Sequence, residues 1–141
     1  GRIAFACWQP VTKNAWIGLQ LKVIAPLLEG QEDAPVPDPN APGPFSLGDP
    51  TRINEILDAA GFADIQIEHY GPDVALFGLQ DIDDTVNFAM EMGPARALLD
   101  GQSDDVRSAA RQAIREAYQP HLTDEGVVLS SAAWIVTAQK A

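Results

Sequence analysis

The sequence predicts an α/β protein, or an α+β protein if the chain is a fragment, in which helices pack on a three-stranded mixed sheet. Strand patterns occupy residues 1–8, 62–70 and 127–139, and helical periodicity fills the segments between them. The first and third patterns are apolar on both faces, which is typical of central strands. The second alternates apolar and polar residues, which is typical of an edge strand. We therefore expect the strand order first–third–second.

The first strand begins at the first residue of the chain. One face of Gly1–Trp8 carries Ile3, Phe5 and Cys7, and the other face is also largely apolar. A strand of this kind is normally flanked on both sides. We therefore interpret residues 1–141 as a single partial domain. The first strand is expected to pair either with a second copy, giving a homodimer, or with a missing N-terminal half.

Helix signals lie between the predicted strands. Asp49 and Pro50 are typical of a helix start, and Gly61 is typical of a helix end. The apolar residues Trp16, Leu19 and Val23 predict the buried face of an earlier helix. The helical patterns cover residues 14–28, 49–60, 81–92, 95–99 and 103–118. The last three patterns form a helical insertion at about 81–119.

Residues 30–48 carry no periodic pattern and are rich in proline. Proline at this density favours an extended, irregular loop. The loop contains Pro35, Pro37, Pro39, Pro42 and Pro44. The aromatic Phe45 is expected to anchor this loop inward.

Composition excludes several classes of function. The formal net charge of −11 would repel a phosphate backbone and an anionic membrane, so neither nucleic acid nor a membrane is an expected partner. No apolar run is long enough to span a bilayer. The single Cys7 is consistent with a reducing compartment, and we expect a cytoplasmic protein. Two isolated histidines and one distant cysteine do not predict a metal site.

The segments Gly1–Pro10, Asp49–Ile65 and Ala133–Ala138 together resemble the C-terminal half of a class I S-adenosylmethionine-dependent methyltransferase, in its small-molecule branch. Gly1–Pro10 resembles the fifth strand of that Rossmann-like fold. The passage from Asp49 to Ile65, with its turn Ala59-Ala60-Gly61-Phe62, resembles the helix, the turn and the sixth strand of that fold. The ending Trp134-Ile135-Val136-Thr137-Ala138 resembles its seventh strand, which lies antiparallel between the fifth and the sixth.

The resemblance implies methyl transfer from S-adenosyl-L-methionine to a small molecule. A nitrogen, oxygen, sulfur or carbon atom of the substrate would attack the sulfonium methyl group. Such a transfer relies mostly on the alignment of the two reactants and can proceed without a protein nucleophile. The Gly-rich turn and acidic residue that hold the cofactor in this family have no counterpart here. We therefore expect no cofactor-binding residue in this chain and little activity from it alone, and we name no catalytic residue.

The candidate substrate-binding residues lie at strand ends and on apolar faces. Ligands bind at the carboxyl ends of strands in open α/β sheets, and pockets for organic substrates are mostly apolar. The candidates are Trp8, Gln9, Asn14, Trp16, Phe45 and Phe88. Each aromatic residue also has an alternative interpretation as plain core packing. His69 and His121 are weaker candidates for a general base, because neither has a carboxylate partner at a fixed spacing.

Two other classes of function are compatible with the same sequence. The chain is alternatively a non-catalytic α+β module that binds a small ligand or dimerises. It is also compatible with an interaction protein that adds its first strand to another sheet. Binding of S-adenosylmethionine at micromolar concentration would contradict the expected absence of the cofactor site.

Overall fold

The computed structural model describes residues 1–28 and 38–141. Part of the predicted loop at residues 30–48, including Pro35 and Pro37, therefore lies outside the described residues. Pro39, Pro42 and Pro44 fall in an irregular stretch of turns and bends, in agreement with the predicted loop.

The chain divides into two units. The described part of the first unit comprises Gly1–Asn14, residues 38–72 and Ser130–Ala141. The second comprises residues 15–28 and Asp73–Leu129. The single partial domain stays a prediction, because two units of one chain can belong to one domain.

The structure is mixed α/β, as the sequence predicts at that level. In chain order, its regular elements are β1 (Arg2–Trp8), α1 (Ala15–Ile24), α2 (Pro50–Ala59), β2 (Phe62–Tyr70), β3 (Asp73–Ala75), α3 (Ile82–Glu91), α4 (Gly93–Leu99), α5 (Asp104–Tyr118), β4 (Leu122–Thr123), β5 (Gly126–Ser130) and β6 (Ala133–Lys140). Within the described ranges, no helix has the length and apolar character needed to cross a membrane.

The sheet of the first unit has the strand order β1-β6-β2. Strand β6 runs antiparallel to both neighbours. Both strand pairings of this sheet are therefore antiparallel, whereas the sequence predicts a mixed sheet. Trp8 and Tyr70 both lie opposite Ala133. The carboxyl ends of β1 and β2 therefore share one edge with the start of β6, and we call this edge the strand-end rim.

The predicted third strand at residues 127–139 is two strands. Strand β5 lies in the second unit up to Leu129, whereas β6 lies in the first, and Ser131 and Ala132 separate the two strands. At this break the backbone amides of Ser131 and Ala132 donate hydrogen bonds to groups outside the two sheets' strand pairings. The amide and hydroxyl of Ser131 both donate to the carbonyl oxygen of Pro72, and the amide of Ala132 donates to the Asn14 side chain. The sequence does not reveal this division, because residues on both sides of Ser131 and Ala132 are apolar. Yet β5 and β6 pair in different sheets.

The core of the first unit lies on one face of its sheet. Helix α2 contributes Ile53 and Leu57, which pack with Val136 and Ala138 of β6. The helix begins where its sequence predicts, since the Asp49 carboxylate accepts a hydrogen bond from the amide of Thr51. We call this side of the sheet the covered face.

The second unit holds a mainly helical core and a small sheet of order β3-β5-β4. The core residues include Met90 of α3, Leu99 of α4 and Tyr118 of α5. The side chains of Asp81 and Ser103 cap α3 and α5, at the first residues of the predicted helical patterns 81–92 and 103–118.

The orientation of α1 differs from its prediction. Trp16, Leu19 and Val23 are only partly buried, although they pack against the core of the second unit. The fully buried residues of α1 include Ile17, Gln20 and Ile24. A polar glutamine therefore occupies the centre of the buried face, which an apolar pattern does not reveal.

Candidate functional site

Polar side chains converge at the strand-end rim on the covered face. Cys7 lies opposite Trp134, and Trp134 lies opposite His69, so these three side chains form the last row of the covered face. Gln9 extends this face beyond the end of β1, because alternate residues of a strand share a side. The rim thus brings Gln9, Trp134 and His69 together.

Gln9 and His69 are in direct hydrogen-bond contact. The Gln9 side-chain nitrogen Nε2 lies 2.5 Å from the imidazole Nδ1 of His69 and 3.0 Å from the carbonyl oxygen of Ala133. Gln9 is only 5% exposed, whereas His69 is exposed. The backbone amide of Gln9 donates to the carbonyl oxygen of Ala132 at 2.9 Å. A buried amide that is fixed on both sides therefore orients an accessible imidazole.

Asn14 fixes the chain that follows β1. Its side-chain nitrogen Nδ2 lies within 3.2 Å of the carbonyl oxygens of Gln9, Pro10 and Ala132. Its Oδ1 accepts a hydrogen bond of 2.8 Å from the amide of Ala132. Asn14 is fully buried. Asn14 is a predicted binding residue. Its polar atoms are hydrogen-bonded to backbone groups, so its role is to stabilise the rim.

A turn from residues 45–48 packs against the covered face. The indole Nε1 of Trp134 donates to the carbonyl oxygen of Gly48 at 2.8 Å. The thiol of Cys7 contacts the carbonyl oxygen of Leu47 at 3.7 Å, and burial raises the pKa of this thiol. The raised pKa disfavours the thiolate, which is the nucleophilic form. Cys7 is therefore a packing residue, as the sequence indicates.

The rim also has an aromatic side on the opposite face of the sheet. Trp8, Ala133 and Tyr70 share one row across the three strands. Trp8 is half-buried, and Tyr70 is 56% exposed. Two aromatic rings therefore flank a small alanine, on the side that faces away from Gln9 and His69.

The predicted site residues fall into three groups. Gln9 and Asn14 meet at the rim, and Trp8 stands at the same rim on the opposite face. Phe45 is half-buried in the turn that leads to Gly48, and its carbonyl oxygen accepts the amide hydrogen of Gly48.

The other two predicted site residues, Trp16 and Phe88, belong to the second unit. Trp16 packs against its core. Phe88 is 48% exposed and lies 4.7 Å from the ring of Phe77, measured between ring centroids.

The prediction of these binding residues omitted Trp134 and Tyr70 and gave His69 only a minor role. The signal that points to His69 and Tyr70 is their place at the carboxyl end of β2, next to the end of β1. Strand order is needed to use that signal, because Gln9 and His69 are 60 positions apart. Within the described residues, no group of three histidine, cysteine, aspartate or glutamate side chains has an arrangement that could hold a metal ion.

A cavity of about 710 Å³ lies at the other end of the same sheet. Its lining includes Arg2, Asp64, Gln66 and Gln139, and it contains none of the predicted site residues. Asp64 has a left-handed backbone, with φ of 51°, beside the irregular pairing between Ala63 and Gln66. The cavity therefore lies beside this local irregularity and is separate from the strand-end rim.

Comparison with known proteins adds no family assignment. No protein-family model matches the chain, and no curated protein matches it in sequence. The functional argument therefore depends on the sheet topology and on the side chains at the rim.

Proposed function

We propose that these residues form the substrate side of an S-adenosylmethionine-dependent methyltransferase that acts on a small molecule in the cytoplasm. One observation carries the proposal. Strand β6 lies antiparallel between β1 and β2, so both carboxyl ends meet where Gln9 and His69 converge. Ligands of open α/β folds bind at such an edge. The helix–turn–strand passage from α2 through Gly61 into β2 also supports the resemblance.

The rim residues do not fit the cofactor itself. Adenosine ribose hydroxyls are typically held by a carboxylate beyond a strand, after a Gly-rich turn. Here Gln9-Pro10 follows β1, and the converging side chains of Gln9, Asn14 and His69 include no carboxylate. The chemistry assigned to these residues is therefore binding and orientation of the methyl acceptor. S-adenosylmethionine would be held outside them.

Orientation is the physical contribution that this rim makes. Transfer between two bound reactants gains most from their alignment, and that gain requires side chains that do not move. Gln9 is buried and hydrogen-bonded on two sides, and Asn14 anchors the chain behind it. The imidazole of His69 is exposed and is held in one orientation by Gln9.

The proposal is tested by methyl transfer from labelled S-adenosylmethionine. The natural protein that contains these residues would be incubated with separate pools of phenols, amines, thiols and carboxylic acids. We expect label in a small molecule, and a loss of about tenfold or more for Gln9→Ala, since one misplaced group can cost about 100-fold. Gln66→Ala is the matched control, because Gln66 is exposed on the opposite face of the same sheet. Equal activity of both variants would contradict a role for the rim.

A non-catalytic ligand-binding module is the second candidate function. The observation that favours it is the poor fit of the rim to the cofactor. Binding of a pool compound in a thermal-shift assay, with no transfer of label by the natural protein, would support this second function against the first.

The partner of β1 stays a prediction. Within the described sheet β1 is an edge strand, and such strands accept a further strand. Light scattering on the 141-residue chain tests the homodimer, and a monomer at high concentration would contradict it.

A further inference from the structure

Gln9 faces two acceptors with the same side-chain nitrogen. The carbonyl oxygen of Ala133, at 3.0 Å, can only accept a hydrogen bond. A reversed amide would place the Gln9 oxygen against that carbonyl oxygen, which is repulsive. The amide group that faces both Ala133 and His69 is therefore NH₂, which can only donate.

This assignment determines the hydrogen position on His69. Because the Gln9 NH₂ group donates, the Nδ1 of His69 accepts, at 2.5 Å. A neutral imidazole that accepts at Nδ1 carries its hydrogen on Nε2. The Trp134 ring lies nearly perpendicular to the imidazole of His69, at an interplanar angle of 79° and 6.4 Å between centroids.

The Nε2 atom of His69 is left available. No hydrogen bond joins it to another of the described residues, and the side chain is exposed. Gly71 leaves space beside it, since a Cβ atom at this glycine would lie 2.7 Å from Nε2. The rim therefore presents an exposed N–H group that has no acceptor among the residues that the structure describes.

We propose that His69 is a hydrogen-bond donor to an acceptor oxygen of the substrate, such as a carbonyl, carboxylate or phenolate oxygen, and that Gln9 is the residue that positions it. This inference rests on the proposed function for the identity of the ligand as a methyl acceptor. It also excludes the base role considered for His69 while the Gln9 contact is intact. A base needs an available lone pair, and the lone pair of the neutral ring is at Nδ1 and is engaged by Gln9.

The first test measures the tautomer directly, without any ligand. Long-range ¹H–¹⁵N correlation spectra of the labelled chain distinguish a protonated from an unprotonated ring nitrogen, under conditions in which the ring is neutral. His121 is the other histidine, and His121→Gln assigns the signals. We expect a protonated Nε2 and an unprotonated Nδ1 in His69. A protonated Nδ1 in the neutral ring would overturn the inference.

Gln9→Glu replaces the donor that faces the His69 Nδ1 with an acceptor. A carboxylate accepts rather than donates, so Nδ1 should become protonated in this variant. A merely structural role of Gln9 would leave the hydrogen on Nε2, and this result would overturn the positioning role. If Gln9→Glu does not fold, Gln9→Met removes the amide at similar volume, and the ring should then lose its single tautomer. A single Nε2–H tautomer in Gln9→Met would count against the proposal.

The second test uses the substrate identified by methyl transfer. Glutamine places an amide N–H near the position of the His69 Nε2, so His69→Gln keeps a donor but has no basic nitrogen. We expect His69→Gln to retain most of kcat/KM and His69→Leu to lose about 10- to 100-fold. Equal losses in the two variants would overturn the donor role.

The two tests separate this inference from the proposed function. An absence of methyl transfer would contradict the proposed function, whereas the tautomer is measured on the protein alone. A protonated Nδ1 together with active methyl transfer would leave the proposed function intact and overturn only the role of His69.

Discussion

The two units differ in how their buried side-chain amides are hydrogen-bonded. In the first unit, the buried Gln9 and Asn14 have partners for their side-chain amides. In the second unit, Gln20 and the hydroxyl of Tyr118 are buried without a hydrogen-bond partner among the described residues. Buried polar groups stabilise a structure only when they are paired, and unpaired ones cost free energy. A satisfied network at a strand end therefore indicates a rigid site, whereas polarity inside a helical core does not.

The largest expected effect is that of Asn14→Ala. The substitution removes contacts to three carbonyl oxygens and to the amide of Ala132. We expect the free energy of unfolding to fall by about 3 kcal/mol, because buried backbone groups lose their partners. Urea denaturation measures this change. Asn54→Ala is the matched control, since the exposed side chain of Asn54 bonds one carbonyl, and it should change stability by less than about 0.5 kcal/mol.

Asn14→Asp separates hydrogen bonding from cavity formation. The carboxylate has nearly the volume of the amide, but it sets an oxygen against three carbonyl oxygens. We expect a destabilisation at least as large as that of Asn14→Ala. Wild-type stability in Asn14→Asp would contradict the hydrogen-bonding account of this residue.

The opposite sign is expected for Gln20→Met in the second unit. Methionine has a similar length and helix propensity, and it has no unpaired amide to bury. We expect the free energy of unfolding to rise by about 1–2 kcal/mol. Gln112→Met on the exposed side of α5 is the control. A loss of stability in Gln20→Met alone would show that the Gln20 amide has a partner, and would remove the difference between the units.

A smaller effect concerns Tyr118 at alkaline pH. Burial raises the pKa of its phenol, so the folded state keeps the hydrogen after the unfolded state has lost it. Below about pH 10, the ordinary pKa of tyrosine, both states are protonated and this group has no effect on the pH dependence. Above that pH the unfolded state binds fewer protons, so stability falls by up to about 1.4 kcal/mol per pH unit.

Tyr118→Phe tests this explanation. The variant removes the hydroxyl, so its stability should fall less steeply than that of the wild type between about pH 10 and 11. Denaturation midpoints at several pH values measure the difference. Parallel pH curves for the two proteins would contradict a buried, protonated phenol.

Local signals in the sequence predicted most of the regular elements. Asp49 begins a helix as expected, and Gly61 has the left-handed backbone, φ 75°, that ends a helix. Asp81 and Ser103 cap helices at the first residues of two predicted helical patterns. Each of these features depends on residues within one or two turns. The alternation in β2 also predicted its place at an edge of the sheet, which the strand order confirms.

Longer-range features were predicted less well. The apolar run at residues 127–139 predicts one strand, although Ser131 and Ala132 divide it into β5 and β6. The buried face of α1 was assigned to Trp16 and its apolar neighbours rather than to the face of Gln20. In both cases the sequence shows which residues are hydrophobic, but it does not show which other segment they pack against or pair with.

The sequence alone determined where the helices and the first two strands lie, because capping, periodicity and glycine conformation act over a few residues. Only the tertiary structure decided that Gln9 meets His69 beside Trp134, and that Asn14 joins the end of β1 to Ala132. These contacts depend on which strands become neighbours and in what register. That choice is made by the packing of segments far apart in the chain, which no local pattern encodes.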